Sequence, residues 1–198
     1  MVKDTLRYGR EKHFLGRDEW LRAARLALLR GGVEAVRVAQ LARDLGVTKG
    51  SFYWHFKDRD ELLEMLLAEW ERELGELLTQ PRNETEGGGD GDGVAALMAQ
   101  LIEQARRSEK GEAPSDAAIF AWASVSPAVA ERVNRAEEER LALLGRLFSD
   151  PARVEILYLA WIGFVARGQR LPAFRRRFPE IARTMFELLA APPAPRGA

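Results

Sequence analysis

Residues 38–65, VAQLARDLGVTKGSFYWHFKDRDELLEM, carry the pattern on which the reading of the whole chain turns. Val38, Leu41, Ala42 and Leu45 recur at the spacing of one helix face, and Gly46 supplies the left-handed residue that turns the chain. Thr48 is expected to cap a very short third helix, about residues 48–56. On its wheel Phe52 and Phe56 lie one turn apart and face a core, whereas Gly50, Tyr53 and Trp54 point almost opposite, with Ser51 and His55 on the flank. Two helices joined by a short Gly-containing turn, the second with a polar and aromatic open face, form the helix-turn-helix pattern. In that pattern the second helix enters the DNA major groove with its N-terminal end first.

Each residue type on the open face then has a chemical reason. Gly50 lets the backbone approach the groove floor. Lys49 can donate to guanine O6/N7 or to phosphate, and Ser51 to a base edge or a phosphate. Tyr53 and His55 offer an O–H and an N–H to phosphate oxygens, and Trp54 offers apolar area to sugars or thymine methyls. Lys57 and Arg59 add positive charge at the start of the next helix, where the dipole already favours an anion. A purely structural aromatic cluster would leave Lys49, His55 and Lys57 without a reason.

Working outward, residues 18–30 predict a first helix, capped by Asp18, with Trp20, Leu21, Ala24, Ala27 and Leu28 as its apolar stripe and Gly31-Gly32 as its end. Asp58 and Glu61 have capping-box spacing and open a fourth helix running to about Leu78. The acidic, Gly-rich stretch 82–93 predicts a flexible loop. Further helices are expected over about 94–108 and 115–124, then after Ser126-Pro127, Asp150-Pro151 and Pro179, each opened by proline. Residues 191–198 read as a disordered tail. Residues 1–17 form a basic arm, either a solvated tail or an arm that follows DNA through Lys3, Arg7, Arg10, Lys12 and Arg17.

The 198-residue chain is 46% apolar, enough for a sizeable core. It has no cysteine and two histidines, so disulfides and thiolate metal sites are excluded and a typical zinc centre is not expected; no metal and no cofactor are called for. No apolar run is long enough to cross a membrane, and the expectation is a soluble cytoplasmic protein with no membrane partner. Net charge is zero, yet residues 1–60 carry 13 Lys/Arg against 8 Asp/Glu and the remainder 17 against 22. A basic N-terminal third suits a polyanion. Glu137-Glu138-Glu139 reads as a solvated helix face. No nucleophile elbow, phosphate loop or HExxH motif is present, so an enzyme is not expected.

The segment VAQLARDLGVTKGSFYWHFKDRDELLEMLL resembles the DNA-binding region of the TetR family of bacterial transcriptional regulators. Leu41-Ala42, Gly46-Val47-Thr48, Gly50, Tyr53, His55-Phe56 and Leu62-Leu63 match its pattern in order and spacing. Two positions depart from it: Arg37 stands where Ser or Thr usually caps the second helix, there to contact phosphate, and Arg59 where Lys is usual. The resemblance implies an all-α fold, with a three-helix DNA-binding domain over 18–64 and a C-terminal ligand-binding and dimerisation domain over 65–190. It implies a homodimer on a palindromic double-stranded operator and a pocket for a small-molecule inducer. Trp70, Phe120, Trp122, Tyr158 and Trp161 are the candidate pocket residues, although any one of these rings alone reads as core.

The run 156–166 is apolar on every side, and in a chain this small a second subunit is its natural cover. With the last helix it would form a four-helix interface in which Leu157 and Met185 face the partner. The expected function is a ligand-responsive regulator, a repressor released by a small molecule. Its rival is a ligand-independent helix-turn-helix or nucleoid-associated DNA binder.

Overall fold

The computed structural model describes residues 15–79, 90–145 and 150–190, all helical or turn, with no strand among them. The expected arm up to residue 14, most of the expected loop and the C-terminal tail lie outside the described residues. Helix α1 is Arg17–Gly31, α2 Val38–Asp44, α3 Lys49–Phe52, α4 Arg59–Thr79 and α5 Asp90–Glu109. Then follow α6 Asp116–Ala123, α7 Pro127–Leu144, α8 Pro151–Arg170, α9 Pro172–Arg175 and α10 Phe178–Ala190.

Several helix ends differ from expectation. Helix α1 begins before Asp18, with Gly16 at the cap position, so Asp18 and Glu19 serve in the first turn against the helix dipole. Thr48 has the extended backbone of a cap, but its hydroxyl makes no capping bond. Helix α3 closes at Phe52, and turns carry the chain on to His55. The capping box is half formed: Asp58 Oδ1 accepts from the Glu61 N–H at 2.9 Å, while Glu61 Oε2 accepts from the Lys57 N–H at 2.6 Å instead of from Asp58. Residues 90–93, assigned to the loop from composition, start α5. Two aspartates at the positive end of a helix dipole offset the poor helix propensity of the neighbouring glycines. Asp150 does cap α8, accepting from the Ala152 N–H at 3.0 Å with Pro151 at the first helical position.

One apolar core joins the N-terminal helices to the middle of the chain. Trp20, Ala24 and Leu28 of α1, Leu41 and Ala42 of α2, and Phe52 and Phe56 pack with Leu62, Leu66, Leu67 and Trp70 of α4. Ile119 and Trp122 of α6 and Val129 and Val133 of α7 belong to the same core. Helix α4 is therefore shared by both halves. Ion pairs fix it from two sides: Arg25 of α1 reaches both Glu69 oxygens at 3.0 and 3.1 Å, and Arg132 of α7 forks onto Glu71 and Glu64 at 2.6–2.7 Å. A second core gathers Leu144 with Leu157, Trp161 and Phe164 of α8 and Phe178 and Ala182 of α10.

Candidate nucleic-acid interface and a buried chamber

The turn between α2 and α3 follows from backbone accounting. Gly46 sits at φ 70°, where an L side chain would be strained. Its N–H bonds to the Arg43 carbonyl at 3.1 Å and the Val47 N–H to the Ala42 carbonyl at 2.9 Å, which is the Schellman closure of α2. Phe52 then anchors α3 inward, edge-on to Trp20 at 5.3 Å and stacked on Phe56 at 5.1 Å. That anchoring turns the intervening residues outward. Tyr53 is 62% and Trp54 88% exposed, and Lys49, Gly50 and Lys57 stand in solvent beside half-buried Ser51 and His55.

Gly50 has no internal reason to be glycine. A Cβ there would meet only the Thr48 hydroxyl, at an ordinary 3.6 Å, and its φ is not positive. Two arginines are placed differently from expectation. Arg59 is half-buried and donates to the Val36 and Val33 carbonyls at 2.7 Å each, tying α4 to the connection that precedes α2. Arg37 bonds the Glu34 carbonyl at 2.8 Å from its place at the α2 cap, without capping the helix through its side chain. Arg17, read as part of the arm, folds back over the Phe56 ring at 5.0 Å and pairs with Glu61 at 3.1 Å.

Residues 21–66 match the family model for bacterial regulatory proteins of the tetR family. The N-terminal helices are therefore a TetR-type DNA-binding domain. This domain is 39% identical over 46 residues to the HTH-type transcriptional regulator AcrR of Shigella flexneri, 23% of this chain and 21% of that protein. It is also 39% identical over 51 residues to the HTH-type transcriptional regulator TtgR of Pseudomonas putida, 26% of this chain and 24% of that protein. The match thus spans about a quarter of those relatives. The fold likeness runs further. A transcriptional regulator from Rhodococcus sp. Rha1 superposes with a TM-score of 0.66 at 21% identity, covering 88% of this chain and 94% of that one. Salmonella enterica GusR gives 0.54 at 19% identity, covering 86% and 95%.

The helices that follow the TetR-type domain enclose a feature that the sequence reading missed. Asp116, in the first turn of α6, is buried. Its Oδ1 accepts from Trp70 Nε1 at 2.7 Å, and its Oδ2 from Trp161 Nε1 at 2.9 Å and from the Arg140 guanidinium at 3.3 and 3.4 Å. Burial alone would raise this carboxyl, but Arg140 and the two indoles outweigh it and hold it below its ordinary value. One carboxylate therefore pins α4, α7 and α8 to α6. Beside it opens a chamber of about 70 Å³ lined by Leu29, Gln104, Ser108, Asp116, Trp161 and Phe164, among others.

Of the five aromatic pocket candidates, only Trp161 lines this chamber. Trp70 is buried behind it, edge-on to half-buried Phe120 at 6.4 Å, and Trp122 belongs to the first core. Tyr158 donates to Glu137, so that glutamate is not merely solvated; burial, then this bond, raises the phenol above its ordinary value. The first core uses three of these rings because α6 is apolar on nearly every side and packs on α4 and α7 at once.

Proposed function

We propose that this chain is a ligand-responsive transcriptional regulator, a repressor that binds a palindromic operator as a homodimer in the cytoplasm and is released by a small molecule. The observation that carries the reading is the outer face of α3 and its following turn. Lys49, Ser51, Tyr53, Trp54 and His55 have no side-chain hydrogen bond among the described residues and stand beside exposed Gly50 and Lys57. A folded protein gains nothing from exposing Tyr and Trp there, whereas a groove with phosphates on both rims matches them. The Thr48 hydroxyl, freed from capping, joins that set. Arg37 and Arg59 contribute by holding the helices, with Arg37 exposed enough to reach phosphate as well. The inducer would enter the chamber beside Trp161.

Gly50→Ala separates folding from binding. Alanine should keep or raise stability by up to about 1 kcal/mol, because glycine is the poorer helix former and the added methyl meets no clash. The same methyl should weaken operator binding, since it stands where the backbone meets the groove floor. Selecting fragments from random DNA with the parent protein, then titrating both proteins on the selected site, checks this. Equal affinities with unchanged melting would remove Gly50 from the interface.

The outward face of α8 supports the dimer reading. The inward face of that helix is Val154, Leu157, Tyr158, Trp161 and Phe164, so Leu157 packs inside the subunit, contrary to expectation, and Met185 leans on the same core. The outward face runs Ala152, Ile156, Leu159, Gly163 and Ala166 at alternating steps of four and three, all exposed, with Ile156 53% and Leu159 62% open. That spacing is the seam of a helix pair, and Gly163 allows close approach. Exposed Leu188 of α10 extends the apolar surface. Ile156→Glu with Leu159→Glu should give folded monomers at micromolar concentration in sedimentation. An intact dimer would place the interface elsewhere.

A further inference from the structure

The chamber beside Asp116 has a chemistry that selects its occupant. Gln104 is more than nine-tenths buried on its wall, and its Oε1 has no hydrogen-bond partner among the described residues. A buried acceptor without a donor is costly, so the site is complete only when something donates to it. Among the described residues no Lys, Arg or His lines the chamber, and the two charged ones on its wall are the carboxylates Asp116 and Glu109. An anion would find no partner there. A cation gains little from Asp116, which Arg140 already neutralises at 3.3 Å.

The remaining wall is apolar: Leu29, Phe164, Val165 and the indole face of Trp161. A single water requires roughly 10–15 Å³ of such space and a benzene ring roughly 150 Å³, so about 70 Å³ takes the polar edge of one small ring while the rest lies in the half-open mouth. Leu29, Glu109 and Phe164 also border a wider outer groove of about 860 Å³, which gives the ring a way in.

We propose that this chamber binds a small neutral aromatic molecule bearing an N–H donor, with the donor on Gln104 and the ring against Trp161 and Phe164. The regulatory consequence rests on the reading of the chain as a ligand-responsive regulator. Position makes that consequence direct. Leu29 belongs to α1, and the loop closing the chamber holds α1 as well: Arg22 donates to the Lys110 carbonyl at 3.1 Å, and a Cβ on Gly111 would meet Leu26 at 2.7 Å. Asp116 on the same wall holds Trp70 of α4. An occupant therefore presses on α1 and α4, the two helices against which Phe52 and Phe56 pack.

The test uses the full-length protein with aniline and its isostere toluene, and with benzoate and benzylammonium as charged counterparts, followed by ligand-observed NMR titration. Aniline should bind on the order of tenfold tighter than toluene, the discrimination expected when a buried acceptor is left unpaired. Gln104→Met, which keeps the volume and removes the acceptor, should melt no lower than the parent and bring that ratio close to one. The proposal is overturned if toluene equals aniline, if either ion binds more tightly than aniline, or if the preference survives in Gln104→Met. Operator binding is measured separately on the selected DNA. Loss of DNA binding with the aniline preference intact would sink the regulator reading alone, and the reverse would sink the chamber alone.

Discussion

Phe52→Ala is expected to unfold the N-terminal helices, at a cost of about 3–5 kcal/mol, the range for deleting a fully buried aromatic ring. Phe52 is wholly inaccessible to solvent. It meets Trp20 edge-on, stacks on Phe56 and touches Tyr53 edge-on at 5.3 Å, so one truncation strips ring contacts from three neighbours. Helix α3 is four residues long and cannot hold itself together by backbone bonding. Its stability is the stability of this contact. Urea denaturation followed by far-ultraviolet circular dichroism should show a much lower midpoint, or an early phase of lost helix. Trp54→Ala, two residues on and 88% exposed, should melt like the parent. A Phe52→Ala protein with the parent midpoint would mean that α3 is held by something other than this ring.

Phe52 and Trp54 also show why this part of the molecule was legible. Their opposite fates follow from helical spacing alone, and the partners Phe52 and Phe56 are four residues apart. Gly46 was readable because only one backbone geometry there rewards glycine. What periodicity could not decide was the choice among competing local partners. Asp18 and Thr48 are good capping residues, yet α1 starts before the first and the second leaves its hydroxyl unused. Arg59 could have faced solvent, but two carbonyls more than twenty residues earlier claim it.

The chamber was hidden for a stronger reason. Asp116 finds its donors 24, 45 and 46 positions away, on three different helices, and no local pattern encodes such a meeting. One signal was nevertheless present. In DAAIFAWA, residues 116–123, Asp116 is the single charged side chain of an otherwise apolar helix. A helix apolar all round is buried all round, and a carboxylate in it must find buried donors. Helical spacing marks Trp54 as an exposed tryptophan, but among the other rings the sequence could not tell core from cavity wall. That distinction depends on which helices pack together, and of the five candidates only Trp161 fell on the wall.

Removing the hub of that meeting should be as damaging as removing Phe52. Asp116→Ala leaves the Arg140 charge buried without its partner and two indole N–H groups unbonded, and breaking a buried ion pair costs about 3–5 kcal/mol. Because the carboxyl is held below its unfolded value of about 3.9, its contribution is fully present above that pH and is lost as pH falls through the depressed folded value. The stability gap between parent and Asp116→Ala should therefore be widest near neutrality and close in acid. Adding Arg140→Met should recover much of the loss, since the orphaned charge and not the missing attraction dominates the penalty. Denaturant titrations of the parent, the single and the double variant at several pH values decide the matter. A gap that stays constant into strong acid, or a double variant no better than the single, would mean that Asp116 acts through packing rather than charge.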